Sequence, residues 1–429
     1  MGIPPFARSV LRSLGLNHGK RTKVTCFTEV VFTGAKDRPD GLLVLDGGRG
    51  RLWHCLIEAK VGKSELNEDQ ISRYIDLARD QQIKAVLTIS NQFVALPSHS
   101  PINLLGSATR GVDLFHWSWG YLLTEAMLLL NEDQFDNSEQ RFLLAEMVRY
   151  FSDPSVGISR FDCMNIEWKA LNDQIMTGAK LKSSKPEVLN SVSAWHQETR
   201  DLCLLMTRET NCPVRVRLSR RHGIDPLRRI RDDAEDLARN HVLTCTFDIP
   251  GAAEKILVMA DFRRRSLSVS MKLDAPRNKK YAISRINWLL RQLGEVSPDE
   301  LHIRVYWPGR TEATQAPLES IRENVEVLIT GKPKASPTSF EVSLNRDLAG
   351  KFVGRKSFIE ELEKAMLSFY ERVGQHLRAY IPDPPQIPIK EGEDKDDHED
   401  ASITGESRGK ADGVGTENGE TITAAGLSR

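Results

Sequence analysis

The chain has 429 residues, 40% of them apolar and 28% charged, with a formal net charge of zero. That is the composition of a globular protein too long for one hydrophobic core, so two or three domains are expected. No stretch holds the ~18 uninterrupted apolar residues of a membrane helix, and the neutral total hides an asymmetry, because residues 390–429 carry eleven Asp/Glu against five Lys/Arg.

The first segment, MGIPPFARSVLRSLGLNHGKR, is basic but lacks the apolar block and small-residue cleavage site of a signal peptide. Pro4 and Pro5 fit a myristoylation signal poorly. The six cysteines are scattered with no C-x-x-C pair, which argues against zinc and a disulfide framework and points to a reducing, cytoplasmic location.

Residues 1–100 alternate short strand-like runs with a polar helix. VTCFTEVVF carries Glu29 close enough in sequence to reach a site formed downstream. RPDGLLVLD (38–46) reads as a turn entering a strand: Pro39 fixes φ, and Gly41 permits a tight or twisted backbone after Asp40. RLWHCLIEAK (51–60) reads as a second strand, with GGRG (47–50) as the hairpin connection. Side chains alternate along a strand, so Glu58 and Lys60 share a face while Ala59 points into the packing. Residues 66–82 read as a helix with Gln70 and Tyr74 four apart on one face, and KAVLTIS (84–90) as the next strand.

If the hairpin sets Asp40 beside Glu58, two carboxylates and an ammonium meet at one spot. Phosphodiester hydrolysis calls for that set. Asp40, Glu58 and the Ala59 carbonyl offer hard oxygens suited to Mg²⁺ or Mn²⁺, which polarises the phosphate and acidifies a bound water. Lys60 orients that water or offsets charge in the transition state.

The order Glu29, P-D (39–40), E-A-K (58–60) and Q-x-x-x-Y (70–74) resembles the PD-(D/E)XK nuclease superfamily, in particular its RecB-like branch. The resemblance covers roughly residues 20–95. It implies a restriction-endonuclease-like α/β core, a mixed sheet flanked by helices. It also implies metal binding by Asp40 and Glu58 with Glu29 in support, nucleophile assistance by Lys60, and a site shaped by Gln70 and Tyr74 or a DNA-backbone contact from them. A motif histidine upstream of the acidic residues, common in that branch, has only His18 nearby.

Residues 101–185 read as a helical extension of that domain, ending in GAKLKSSKPE. Within it Phe115, Trp117, Trp119 and Tyr121 fall at spacing two, as a hydrophobic anchor or a base-stacking platform. His116 reads as a surface or satisfied histidine. Residues 186–387 read as an α+β domain for substrate or partner selection. Its helices include ISRINWLLRQL and SFIEELEKAMLSFYERVGQHL, and its alternating strands include LTCTFDI, KILVMADF, SLSVSMKL, HIRVYW and NVEVLI. Arg215, Arg217, Arg220, Arg221, Arg228, Arg229 and Arg231, with Arg263, Arg264 and Arg265 on a hairpin bend, suit phosphate contacts, or else form a solvated face partly neutralised by Asp232 and Asp233. Residues 388–429 read as a disordered acidic tail. There is no Walker A loop, helicase motif or G-x-S-x-G.

The expectation is therefore a Mg²⁺-dependent endonuclease, acting on DNA ahead of RNA, in bacterial anti-phage defence or restriction, with a protein partner or a second copy of the chain. The rival from another class is a catalytically silent nuclease fold serving as a binding scaffold.

Overall fold

The computed structural model describes residues 2–16, 22–48, 52–102, 104, 108–132, 135, 137–331 and 335–382. His18, part of the GGRG connection and the acidic tail lie outside them.

Helix α1 (Pro4–Arg12) opens the chain, with proline in its first turn where no amide partner is needed. An antiparallel meander follows: β1 (Lys23–Thr28), β2 (Gly41–Asp46) and β3 (Leu52–Ala59). Helix α2 (Glu68–Asp80) crosses to β4 (Ala85–Ser90), which runs parallel to β3, and β5 (Asp113–Ser118) runs parallel to β4. The sheet order is β1-β2-β3-β4-β5. Interior β4 is buried at every position, as a parallel strand covered on both faces must be.

The two faces follow strand parity. Odd-numbered Cys55, Ala85, Leu87 and Trp117 pack with α1 and with α3 (Trp119–Asn131) and α4 (Ser138–Phe151). Even-numbered Leu56 and Val86 pack under α2, which offers Ile71, Tyr74, Ile75 and Ala78 at spacings of three and four. Asn67 caps α2 by accepting the Gln70 amide at 3.0 Å.

Helices α5 (Trp168–Met176) and α6 (Pro186–Thr210) lead into the second sheet. Strand β6 (Arg215–Val216), α7 (Arg220–Ile224) and α8 (Pro226–Asn240) precede β7 (Val242–Asp248), β8 (Ile256–Asp261) and β9 (Ser266–Asp274). Then come α9 (Ala282–Leu293), β10 (Leu301–Tyr306), β11 (Thr314–Pro317), α10 (Leu318–Glu323) and α11 (Glu326–Ile329). The chain closes with β12 (Ser339–Asp347), α12 (Gly350–Val353) and α13 (Arg355–Phe369). The seven strands are ordered β11-β10-β12-β9-β8-β7-β6, all antiparallel. Alternation along β7, β8 and β10 sends one face into a single core with α5, α6, α9 and α13.

Two elements differ from the sequence reading. Residues 113–118 form the fifth strand of the first sheet rather than belonging to a helical extension. NVEVLI contains helix α11 in place of a strand: Asn324 caps the Glu326 amide at 2.9 Å, and Val325, Leu328 and Ile329 meet the core at helical spacing while Val327 stays exposed.

Helix α6 buries an acidic group with no partner. Glu198 is fully buried and neither of its carboxyl oxygens has a hydrogen-bond partner. Burial, then the nearby Asp201 and Glu363, push its carboxyl well above the ordinary range. Arg160 is committed to those two neighbours. A raised carboxyl contributes its full stability below its unfolded value, near 4.5, and loses it as pH rises toward its folded value. Glu198→Gln is therefore expected to raise the urea midpoint at pH 8 and to change it little at pH 5. An equal shift at both pH values would show that Glu198 is not protonated in the native state.

Candidate functional site

The site lies where β2 begins and β3 and β4 end, on the face under α2. The β2–β3 ladder pairs Gly41 with Ile57. Continued by one residue, that register sets Asp40 across from Glu58, with both side chains on one face. Asp40 Oδ2 accepts the Ala59 amide at 2.8 Å. The amide and carbonyl of a strand residue face the same neighbour, so the Ala59 carbonyl also opens toward Asp40.

Glu58 is 1% exposed. Its Oε1 accepts from Lys60 Nζ, while its Oε2 is buried without a hydrogen-bond partner. A buried acceptor left unpaired is costly unless something else meets it. Lys60 is held at three points: its amide donates to the Ile89 carbonyl at 2.8 Å, its carbonyl accepts from Trp119 Nε1 at 2.8 Å, and its ammonium meets Glu58.

Gln70 and Tyr74 face the same spot. Gln70 Nε2 donates to the Tyr74 hydroxyl at 3.1 Å, and that hydroxyl donates to the Arg38 carbonyl at 3.1 Å. Arg73 Nε meets Asp37 Oδ1 at 3.0 Å. Helix α2 thus grips residues 37–38 and, through them, the backbone that carries Asp40. Burial, opposed by the Gln70 hydrogen bond and aided by the charge of Glu58, a side-chain interaction with it and the charge of Asp40, pushes the Tyr74 phenol up to about 12. The Tyr74 hydroxyl thus stands close to the Glu58 carboxylate without a regular hydrogen bond to it.

Glu29 is placed differently from the expectation. Its backbone joins the site, since its amide donates to the Asp40 carbonyl at 2.8 Å. A positive φ of 51° turns its side chain to Arg38, and it is largely exposed. Gly41 also acts otherwise than expected: a Cβ there would sit 3.1 Å from the Phe27 carbonyl, so glycine lets β1 approach closely.

Beside Glu58 runs a buried polar row. The register aligns Glu58 with Thr88 and Thr88 with His116. Thr88 Oγ1 lies 2.8 Å from His116 Nδ1, and His116 Nε2 lies 2.9 Å from the Gln92 carbonyl. His116 is therefore satisfied but buried, not on the surface. Neither this row nor the Trp119 brace was foreseen in its role, and the polar positions 88, 90, 116 and 118 in otherwise apolar strands were the available signal.

Burial lowers the His116 pKa to about 4 from 6.5. As pH falls the unfolded chain takes up the proton first, so the stability this residue contributes is complete above pH 6.5 and is lost between there and about 4. The size is on the order of 3 kcal/mol. Urea titrations should show His116→Gln losing less stability than wild type over that interval, and parallel curves would refute the assignment.

Past Lys60, Asn91 Nδ2 reaches the carbonyls of Gly62 at 3.1 Å and Gly157 at 2.8 Å, pinning the loop that leaves the site. Phe115, Trp117, Trp119 and Tyr121 pack into or against the core on the opposite face, in the anchoring arrangement.

The arginine cluster is partly neutralised. Arg221 and Arg228 lie 3.3 and 3.9 Å from Asp232, Arg231 lies 3.6 Å from Asp225, and Arg229 is buried 3.6 Å from Asp233. Arg215, Arg217 and Arg220 make no ion pair among the described residues. On the β8–β9 bend, Arg264 lies 3.9 Å from Asp261 and Arg265 lies 4.0 Å from Asp173.

No family model and no curated protein matches this chain. Among the described residues no three His, Cys, Asp or Glu side chains gather to hold a metal ion, so any cation site here rests on two carboxylates and a carbonyl. Nor is any described helix long and apolar enough to cross a membrane.

Proposed function

We propose that the protein is a divalent-cation-dependent nuclease of the PD-(D/E)XK type that cleaves DNA ahead of RNA. The observation that carries this reading is the meeting of Asp40, Glu58 and Lys60 on one face, with one Glu58 oxygen buried and unpartnered. The resemblance implies a mixed sheet flanked by helices, and the five-stranded mixed sheet with α2 against one face supports the reading.

The donors fit a hard cation. Asp40 and Glu58 supply anionic oxygens and Ala59 a carbonyl, and an ion there would satisfy the orphaned Glu58 Oε2. Bound Mg²⁺ or Mn²⁺ would polarise the scissile phosphate and lower the pKa of a coordinated water. Lys60 presents a fixed positive charge to the attacking water and the phosphate oxygens, because its backbone is tethered on both sides. Tyr74 stays protonated through the physiological range and holds the Asp40 segment in place, with Gln70 behind it. Arg215, Arg217 and Arg220 are proposed phosphate contacts, the paired arginines less so. A place in anti-phage defence or restriction, in the cytoplasm, is proposed as the setting, by analogy with nuclease modules joined to unfamiliar domains.

Incubation with supercoiled plasmid, linear DNA and RNA, each with Mg²⁺, Mn²⁺ or EDTA, tests this. Metal-dependent plasmid nicking or linearisation is expected. No cleavage of any substrate, with a fold that still binds DNA, would favour the scaffold reading.

A further inference from the structure

A cleft of about 870 Å³ lies between the β4–β5 connection, α6 and α8. It is a separate wall from the Asp40–Glu58 site. Phe93, Val112, Leu114 and Ile230 give it an apolar lining, and Ser193, Asn190 and Gln197 of α6 add neutral polar groups. That size and mixture are those of small-molecule sites.

Within this wall sits Arg229, only 6% exposed. Burying a guanidinium is expensive unless its donors are met. Its one ion pair is Nε to Asp233 Oδ2 at 3.6 Å, beyond good hydrogen-bond range. That same oxygen is already taken by His196 Nε2 at 2.6 Å. The two terminal nitrogens make no hydrogen bond among the described residues. The wall also carries the solvent-exposed Arg231, 3.6 Å from Asp225, and the exposed carboxylate of Asp113, which an anionic ligand must avoid. Burial, with the adjacent Arg229 charge, lowers His196 to about 4, which leaves Arg229 as the buried cation among the residues lining the cleft.

We propose that this cleft binds a small anionic molecule with an apolar or aromatic body, its carboxylate or phosphate taken by the terminal nitrogens of Arg229. A planar fork of donors accepts such a group through two parallel bonds. The apolar body lies against Phe93 and Ile230, and Ser193 and Asn190 border it. The proposal stands independently of nuclease activity.

Titration calorimetry and ligand-observed NMR on the full chain test it with adenosine 5′-monophosphate, hexanoate, and adenosine as the uncharged control. At least one anion is expected to bind, and adenosine at least tenfold more weakly than its monophosphate if phosphate is the group recognised. Preference between the two anions tells phosphate from carboxylate. Arg229→Gln should weaken binding tenfold or more, and Ser193→Trp, which fills the cleft from a partly exposed position, should do the same in a chain whose thermal midpoint is unchanged. No binding of either anion at millimolar concentration would overturn the proposal, as would binding that survives both substitutions.

Discussion

Replacing Lys60 with alanine is expected to slow cleavage about a hundredfold or more, on the order of 3 kcal/mol, with cation affinity close to wild type. Lysine carries charge but is no ligand. Asp40→Ala is expected to lose both, because one carboxylate and a carbonyl make a poor Mg²⁺ site. It also removes the acceptor of the Ala59 amide. Glu58→Gln should behave like Asp40→Ala while keeping the side-chain volume in a position only 1% exposed. Rates measured beside calorimetric Mn²⁺ titrations separate these classes. A Lys60→Ala protein cutting at the wild-type rate would make the E-A-K match accidental.

Trp168→Ala is expected to cost about 4 kcal/mol, a large share of the roughly 5–15 kcal/mol that stabilises a domain. The side chain is fully buried and its ring packs against Phe358 at 4.7 Å, Phe262 at 4.9 Å and Phe352 at 6.0 Å. Its indole donates to the Phe352 carbonyl at 2.9 Å, an acceptor left unmet by alanine. Trp168→Phe should cost less than half as much. Denaturant unfolding of both variants decides the matter, and a loss below ~1 kcal/mol for alanine would mean the cluster repacks.

The site was legible where local sequence fixes direction. The strand RLWHCLIEAK set Glu58 and Lys60 on one face by alternation, and the i, i+4 spacing set Gln70 above Tyr74, which the structure joins by a hydrogen bond. Glu29 was not legible, because a single left-handed residue reverses the expected direction of its side chain and no local pattern announces it. Trp119 and His116 act through partners 59 and 28 residues away in the chain, beyond any periodicity. The partial neutralisation of the arginine run was legible, since Asp232 and Asp233 sit four residues after Arg228 and Arg229 on one helix. In α11 the apolar positions suit both periods, and the Asn324 side chain turns the chain into the helix by accepting the Glu326 amide.

The parity of the first sheet carries a further consequence. On the face beneath α2 the neighbouring strands β3, β4 and β5 and the residues just past them read Leu56, Glu58, Lys60, then Val86, Thr88, Ser90, then Leu114, His116, Ser118. Each goes from hydrocarbon to heteroatom in the same direction, so one surface holds the helix at one end and offers reactive groups at the other. Exchanges at 58 and 60 can alter chemistry while leaving the scaffold standing, whereas exchanges at 56 and 86 undermine the scaffold and spare the chemistry only in name. Under the proposed nuclease reading, selection could retune this surface without renegotiating how the polypeptide holds itself together.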